Sequence, residues 1–99
     1  MELDNLQREI NEDKQEVIRR LKRIEGQVKG IQKMVEEDKS CVDILTQVAA
    51  VRAAINKVGG IILERHSKDC MQNALSAEQK EQALKSLIDT IQKFLNFVD

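Results

Sequence analysis

The 99-residue chain has no proline, no tryptophan and no tyrosine, and it contains only four glycines, two phenylalanines, two cysteines and one histidine. With no proline, nothing in the chain forces a helix to stop. Two cysteines are too few for the disulfide framework of a small secreted domain, and cytosolic thiols stay reduced unless they sense or catalyse something. No apolar run reaches the roughly 18 residues that a membrane span requires, and Met1 to Lys14 is polar and acidic, unlike a signal peptide. These absences predict a cytoplasmic protein that does not enter a membrane. One histidine and two cysteines, with no pocket-forming glycine loop, supply no convincing catalytic triad, so the chain is not expected to be an enzyme.

Charge is abundant. Charged residues make up 33% of the chain and nearly cancel to a net −1, but they are segregated. Met1 to Val17 carries six acids against Arg8 and Lys14, a net of −4, whereas Ile18 to Lys33 carries six bases against Glu25 alone, a net of +5. A neutral average is therefore compatible with a basic surface on one helix.

Apolar residues at Val17, Leu21, Ile24, Val28, Ile31 and Val35 recur at steps of three or four, which predicts an amphipathic helix over about Asp13 to Glu37. On that wheel Arg19, Lys22, Arg23, Lys29 and Lys33 gather opposite the apolar stripe, with Arg20 at its flank. Such a face serves equally as solvated surface or as a nucleic-acid footprint. Gly26 and Gly30, four apart, would let another backbone approach. Asp38 or Ser40 can cap the next helix. From about Cys41 to Met71 the chain is apolar over much of its circumference, which predicts one long central helix that Gly59 and Gly60 could kink. Ser76-Ala77-Glu78-Gln79 is a capping box, and an apolar stripe from Leu84 to Val98 follows it. The expected fold is all-α, with three helices per protomer. Residues 1–12 read as an acidic N-terminal arm open to disorder, and residues 13–99 as a single helical domain.

His66 and Cys70 stand one turn apart on the central helix and share a face. Together with Cys41 they offer two sulfurs and an imidazole, an incomplete tetrahedral set for zinc but a complete trigonal set for Cu(I). At 1.5 Å rise, the 25 residues between Cys41 and His66 separate them by about 37 Å along one helix. Two copies packed antiparallel around a two-fold axis would bring them together, crossing near Ala54 and Ile55 where small residues suit a close approach. A packing role for the histidine and the cysteines remains open on these grounds.

The run Arg20-Leu21-Lys22-Arg23-Ile24-Glu25-Gly26-Gln27-Val28-Lys29-Gly30-Ile31, with Met34 to Asp38, Cys41 to Gln47 and His66-Ser67-Lys68-Asp69-Cys70, resembles the copper-sensitive operon repressor family of bacterial transcription factors. The resemblance covers about Glu16 to Phe94. It implies an antiparallel four-helix-bundle dimer, paired into a tetramer through the third helix, that binds operator double-stranded DNA without a helix-turn-helix and leaves it when an inducer binds. By the family pattern Arg20 and Lys57 are DNA contacts, and the helical wheel adds Arg19, Arg23, Lys29, Lys33 and Arg52. Cys41, His66 and Cys70 map onto the ligands that hold Cu(I) across the dimer interface in copper-sensing members.

Copper sensors of that family usually carry a tyrosine before the first cysteine and a glutamate on the third helix. Here Ser40 and a position close to Ser86 take those places. Nickel and cobalt sensors add an N-terminal histidine that this chain lacks. Formaldehyde sensors usually lack the second cysteine, and persulfide sensors lack the histidine. His66 favours copper. Ser40 and Ser86 favour the alternative, a persulfide or thiol-redox sensor in which Cys41 and Cys70 react across the interface without a cofactor.

Overall fold

The computed structural model describes residues 2–96. Three helices follow one another, α1 Glu2–Glu36, α2 Cys41–Asn73 and α3 Ala77–Asn96, and among the described residues there is no strand. The expected stripe on α3 ends at Val98, outside the described residues.

Each helix end has a local cause. At the end of α1, Asp38 adopts φ 54°, a left-handed conformation that a short polar side chain tolerates better than most. The Lys39 N–H donates to the Met34 carbonyl at 3.0 Å and the Asp38 N–H to the Val35 carbonyl at 3.1 Å. This bond pair satisfies the last carbonyls in a Schellman ending. Asp38 therefore closes α1, and Ser40 is the residue that caps α2: its Oγ accepts from the Asp43 N–H at 3.2 Å. Before α3 the capping box forms in full. The Gln79 N–H donates to Ser76 Oγ at 3.1 Å, and Gln79 Oε1 accepts from the N–H groups of Ser76 at 3.2 Å and Leu75 at 2.7 Å.

One boundary differs from expectation. Helix α1 begins at Glu2 rather than near Asp13. The physical reason lies in the sequence: Ile10 stands two turns before Val17 on the same apolar face, and Asp4 places negative charge near the start of the helix, where the dipole favours it. Helix α2 runs through Gly59 and Gly60 without interruption.

The chain divides into two compact units, α1 with α2 as far as Ile62, and α2 from Leu63 with α3. In the first, Ile24 and Val58 are buried, at 7% and 4% exposure. Val17, Ile31 and Met34 on α1, with Ile44, Val51, Ala54 and Ile61 on α2, are half-buried. In the second, Leu63, Ala83, Leu87 and Ile91 are half-buried.

Much of the predicted apolar face finds no cover. On α1 the inward stripe is Val17, Ile24 and Ile31, whereas Leu21, Val28 and Val35 remain exposed. Val48, Ile55 and Ile62 on α2, and Leu84, Ile88 and Leu95 on α3, are exposed as well. Covering one such side chain fully contributes about 1.5–3 kcal/mol, so a lone protomer leaves much of its hydrophobic stabilisation unrealised.

Candidate metal and DNA-contact sites

Cys41 is the first residue of α2 and is exposed. His66 is exposed and Cys70 half-buried, one turn apart near the other end of the same helix. Cys70 Sγ lies 3.5 Å from His66 Nε2 and 3.9 Å from Nδ1. A metal bound to one cysteine sulfur at about 2.3 Å and one imidazole nitrogen at about 2.0 Å sets those atoms about 3.5–3.8 Å apart, for bond angles between tetrahedral and trigonal. The separation matches that span, but the near-equal distances to the two ring nitrogens put the sulfur beside the imidazole, so a side-chain rotation is needed for both to reach one metal. Among the described residues of one protomer, no group of three or more histidine, cysteine or carboxylate side chains is placed to hold a metal.

Cys41 shares a face with the pair. Taken at steps of three and four, Cys41, Leu45, Val48, Ile55, Ile62 and His66 are all exposed, and Cys70 continues the series. Arg52 and Gly59 occupy the remaining positions of this stripe. Ser40, which stands where copper sensors usually carry tyrosine, is occupied as the helix cap.

The basic residues divide into three groups. Arg19, Lys22, Arg23 and Lys29 are exposed and make no ion pair among the described residues, and Lys33 reaches Glu37 only at 3.9 Å. Arg20 lies on the inner side of α1, half-buried, with Nε and Nη2 at 3.1 and 3.0 Å from Glu16 Oε1. An i,i+4 pair of this exposure contributes little to stability, about 0.3–0.5 kcal/mol, but it orients the guanidinium and offsets its charge. On α2, Arg52 and Lys57 are exposed, Arg52 on the stripe of the cysteines and Lys57 away from it. Lys22, which the helical wheel sets on the basic face but which was not among the expected DNA contacts, is exposed beside Arg19 and Lys29.

Comparison with known proteins places this arrangement. The family model for metal-sensitive transcriptional repressors matches residues 13–93. The chain belongs to that family. It is 46% identical over 89 residues to the copper-sensing transcriptional repressor CsoR of Bacillus subtilis, spanning 90% of this chain and 88% of that protein. Its structure matches that of the copper-sensing repressor CsoR with Cu(I) from Geobacillus thermodenitrificans, with a TM-score of 0.75 and 46% identity over 85% of this chain and 88% of that one. The nickel-responsive regulator InrS also matches, with a TM-score of 0.73 and 39% identity over 81% of this chain and 90% of that one. As a metal-sensitive transcriptional repressor the protein has all-helical relatives, and among its described residues no helix is long and apolar enough to cross a membrane.

Proposed function

We propose that the protein is a cytoplasmic, non-enzymatic repressor that binds operator DNA and releases it on binding Cu(I) at two equivalent sites, each made by Cys41 of one protomer with His66 and Cys70 of a second. The observation that carries this reading is the exposed stripe of α2. All three ligand candidates lie on it, and its spacing is symmetric to within one residue about Ile55. In an antiparallel pair Cys41 falls opposite Cys70, Leu45 opposite His66 and Val48 opposite Ile62. Ile55 lies at the crossing. The partner's stripe would cover apolar side chains exposed in one protomer and supply the third ligand that one protomer lacks. Leu84, Ile88 and Leu95 on α3 provide a second apolar surface through which such dimers pair into tetramers.

Two thiolates and a neutral imidazole complete a three-coordinate shell for a soft monovalent ion. With both chains ligated, Cys41 is tied to the far end of the neighbouring α2, which restricts the helix arrangements open to the dimer. Arg20, Lys57 and the exposed bases of α1 contact phosphates from surfaces carried by those helices, so fixing their arrangement changes the fit to DNA. Linkage requires that DNA weaken copper binding by the factor by which copper weakens DNA binding.

The similarity to copper-sensing repressors at 46% identity supports copper over nickel. A second reading rests on Ser40. With its hydroxyl engaged as a cap and no tyrosine in the chain, the outer contacts usual in copper sensors are missing. In that reading one thiolate takes a sulfane sulfur from a polysulfide, which departs one sulfur shorter. The thiolate opposite then attacks the persulfide, closing a Cys41–Cys70 disulfide between chains and expelling hydrosulfide. Anaerobic titration of the reduced protein with Cu(I) against a strong chelator, following operator release by fluorescence anisotropy, tests the first reading. Tight copper binding without DNA release would overturn it. Polysulfide treatment that yields cross-linked dimers and frees DNA would establish the second.

A further inference from the structure

The acidic start of α1 conflicts with a DNA-binding role if charge is averaged over the segment, and the helix resolves the conflict by face. From Arg19 the exposed basic stripe runs forward through Lys22, Gly26, Lys29 and Lys33 at steps of three and four. The same steps run backward through Gln15, Asn11 and Arg8, all exposed. No acid occupies a position of this line from Arg8 to Lys33, although exposed Glu12 borders it beside Asn11 and Gln15. Asp13 and Glu16 turn toward the half-buried side, and Glu16 engages Arg20. The stripe is about 37 Å long, close to one turn of B-form DNA, about 34–36 Å.

We infer that Asn11 and Gln15 are specificity-determining residues that read base edges in the operator, an inference that rests on the DNA-binding reading above. They line an open cleft of about 730 Å³ with Lys14, Ile18, Arg19 and Lys22. Side-chain amides add nothing to charge attraction for phosphate, but each pairs an acceptor with a donor in the geometry that matches the N7 and N6 edge of adenine. Glu12 and Glu16 line the adjoining cleft with Asn11, Gln15 and Arg19. Their carboxylates disfavour a phosphate at this end and leave the amides to uncharged partners. Beyond them, the bases from Arg19 to Lys33 anchor the helix to the backbone, and Gly26 leaves the stripe bare of side chain midway, with nothing within 4 Å of a Cβ built there.

The test uses the full-length protein and a preferred duplex selected by the wild type from a randomised pool, beside a scrambled duplex of equal length. Asn11→Ala and Gln15→Ala are each expected to lower affinity for the preferred duplex by about 5- to 150-fold, with scrambled-duplex affinity and salt dependence unchanged. Both positions are exposed and alanine is the stronger helix former, so helical content is expected to stay constant. Asn11→Lys is expected to tighten scrambled-duplex binding and steepen its salt dependence while losing selectivity. Equal losses on both duplexes would assign the amides to phosphate and overturn the inference, as would no loss on either. If the wild type selects no preferred duplex, the DNA-binding reading itself fails, a result distinct from failure of the amide assignment.

Discussion

His66 and Arg20 carry different parts of the proposed switch, and single substitutions separate them. His66→Ala removes one of three copper ligands and leaves both thiols. Copper-driven DNA release is therefore expected to vanish, while operator affinity without metal and any response to polysulfide persist. Anisotropy titrations with each inducer check this. Arg20 stands in an ion pair with Glu16 in the free chain, so binding phosphate means exchanging one anion for another. Arg20→Ala is expected to weaken binding to all duplexes alike and to lower the slope of log affinity against log salt by about one. The same change measured for Lys57→Ala would place both residues on the DNA. The basic residues could be assigned to faces from a helical wheel, because a regular helix maps sequence spacing directly onto angle. Ser40 could not be read as fully: two residues, Asp38 and Ser40, had the chemistry of a cap, and only the backbone turn at Asp38 decides which of them serves.

Helices α2 and α3 are held at their starts by side-chain caps, α1 at its end by backbone bonds, and all three in their middles by propensity and packing. Ser76→Ala removes the Oγ that accepts from the Gln79 N–H, and a lost cap costs about 1 kcal/mol. Thermal unfolding is expected to shift down by about 4–8 °C. Gly60 provides the opposite case. It lies mid-helix in α2, off the stripe of the cysteines, with nothing within 4 Å of a Cβ built there. Gly60→Ala is therefore expected to raise stability by about 0.5–1 kcal/mol without altering DNA or copper binding, which the same thermal scan and titration would check. The three helices were legible from apolar periodicity and the Ser76 capping box. The start of α1 was not, because the high charge density of residues 1–12 outweighed the apolar signal of Ile10, although charge near a helix start supports the helix when it is acidic.

The assembled protein is where the candidate metal site would become complete, and that is testable in trans. A Cys41→Ser protomer mixed with a His66→Ala/Cys70→Ser protomer should recover one Cu(I) site per mixed dimer, with neither variant alone binding tightly. A mixture that recovers no site would refute the intersubunit arrangement. Ile55→Asp, a charge placed at the proposed crossing, should leave helical monomers in sedimentation analysis and abolish tight DNA binding. Helix class, the Ser76 capping box, the face of each charge and the one-turn spacing of His66 from Cys70 were all contained in the order of residues, because they depend on contacts no more than four or five positions apart. Which apolar residues are covered within the chain was not. Leu21, Val28 and Val35 have the same periodicity as Val17, Ile24 and Ile31, and only the packing of α1 in its own unit separates the exposed from the buried. Local spacing sets which side chains share a face. Which of those faces is hidden depends on elements distant in sequence, whose packing geometry no local pattern encodes.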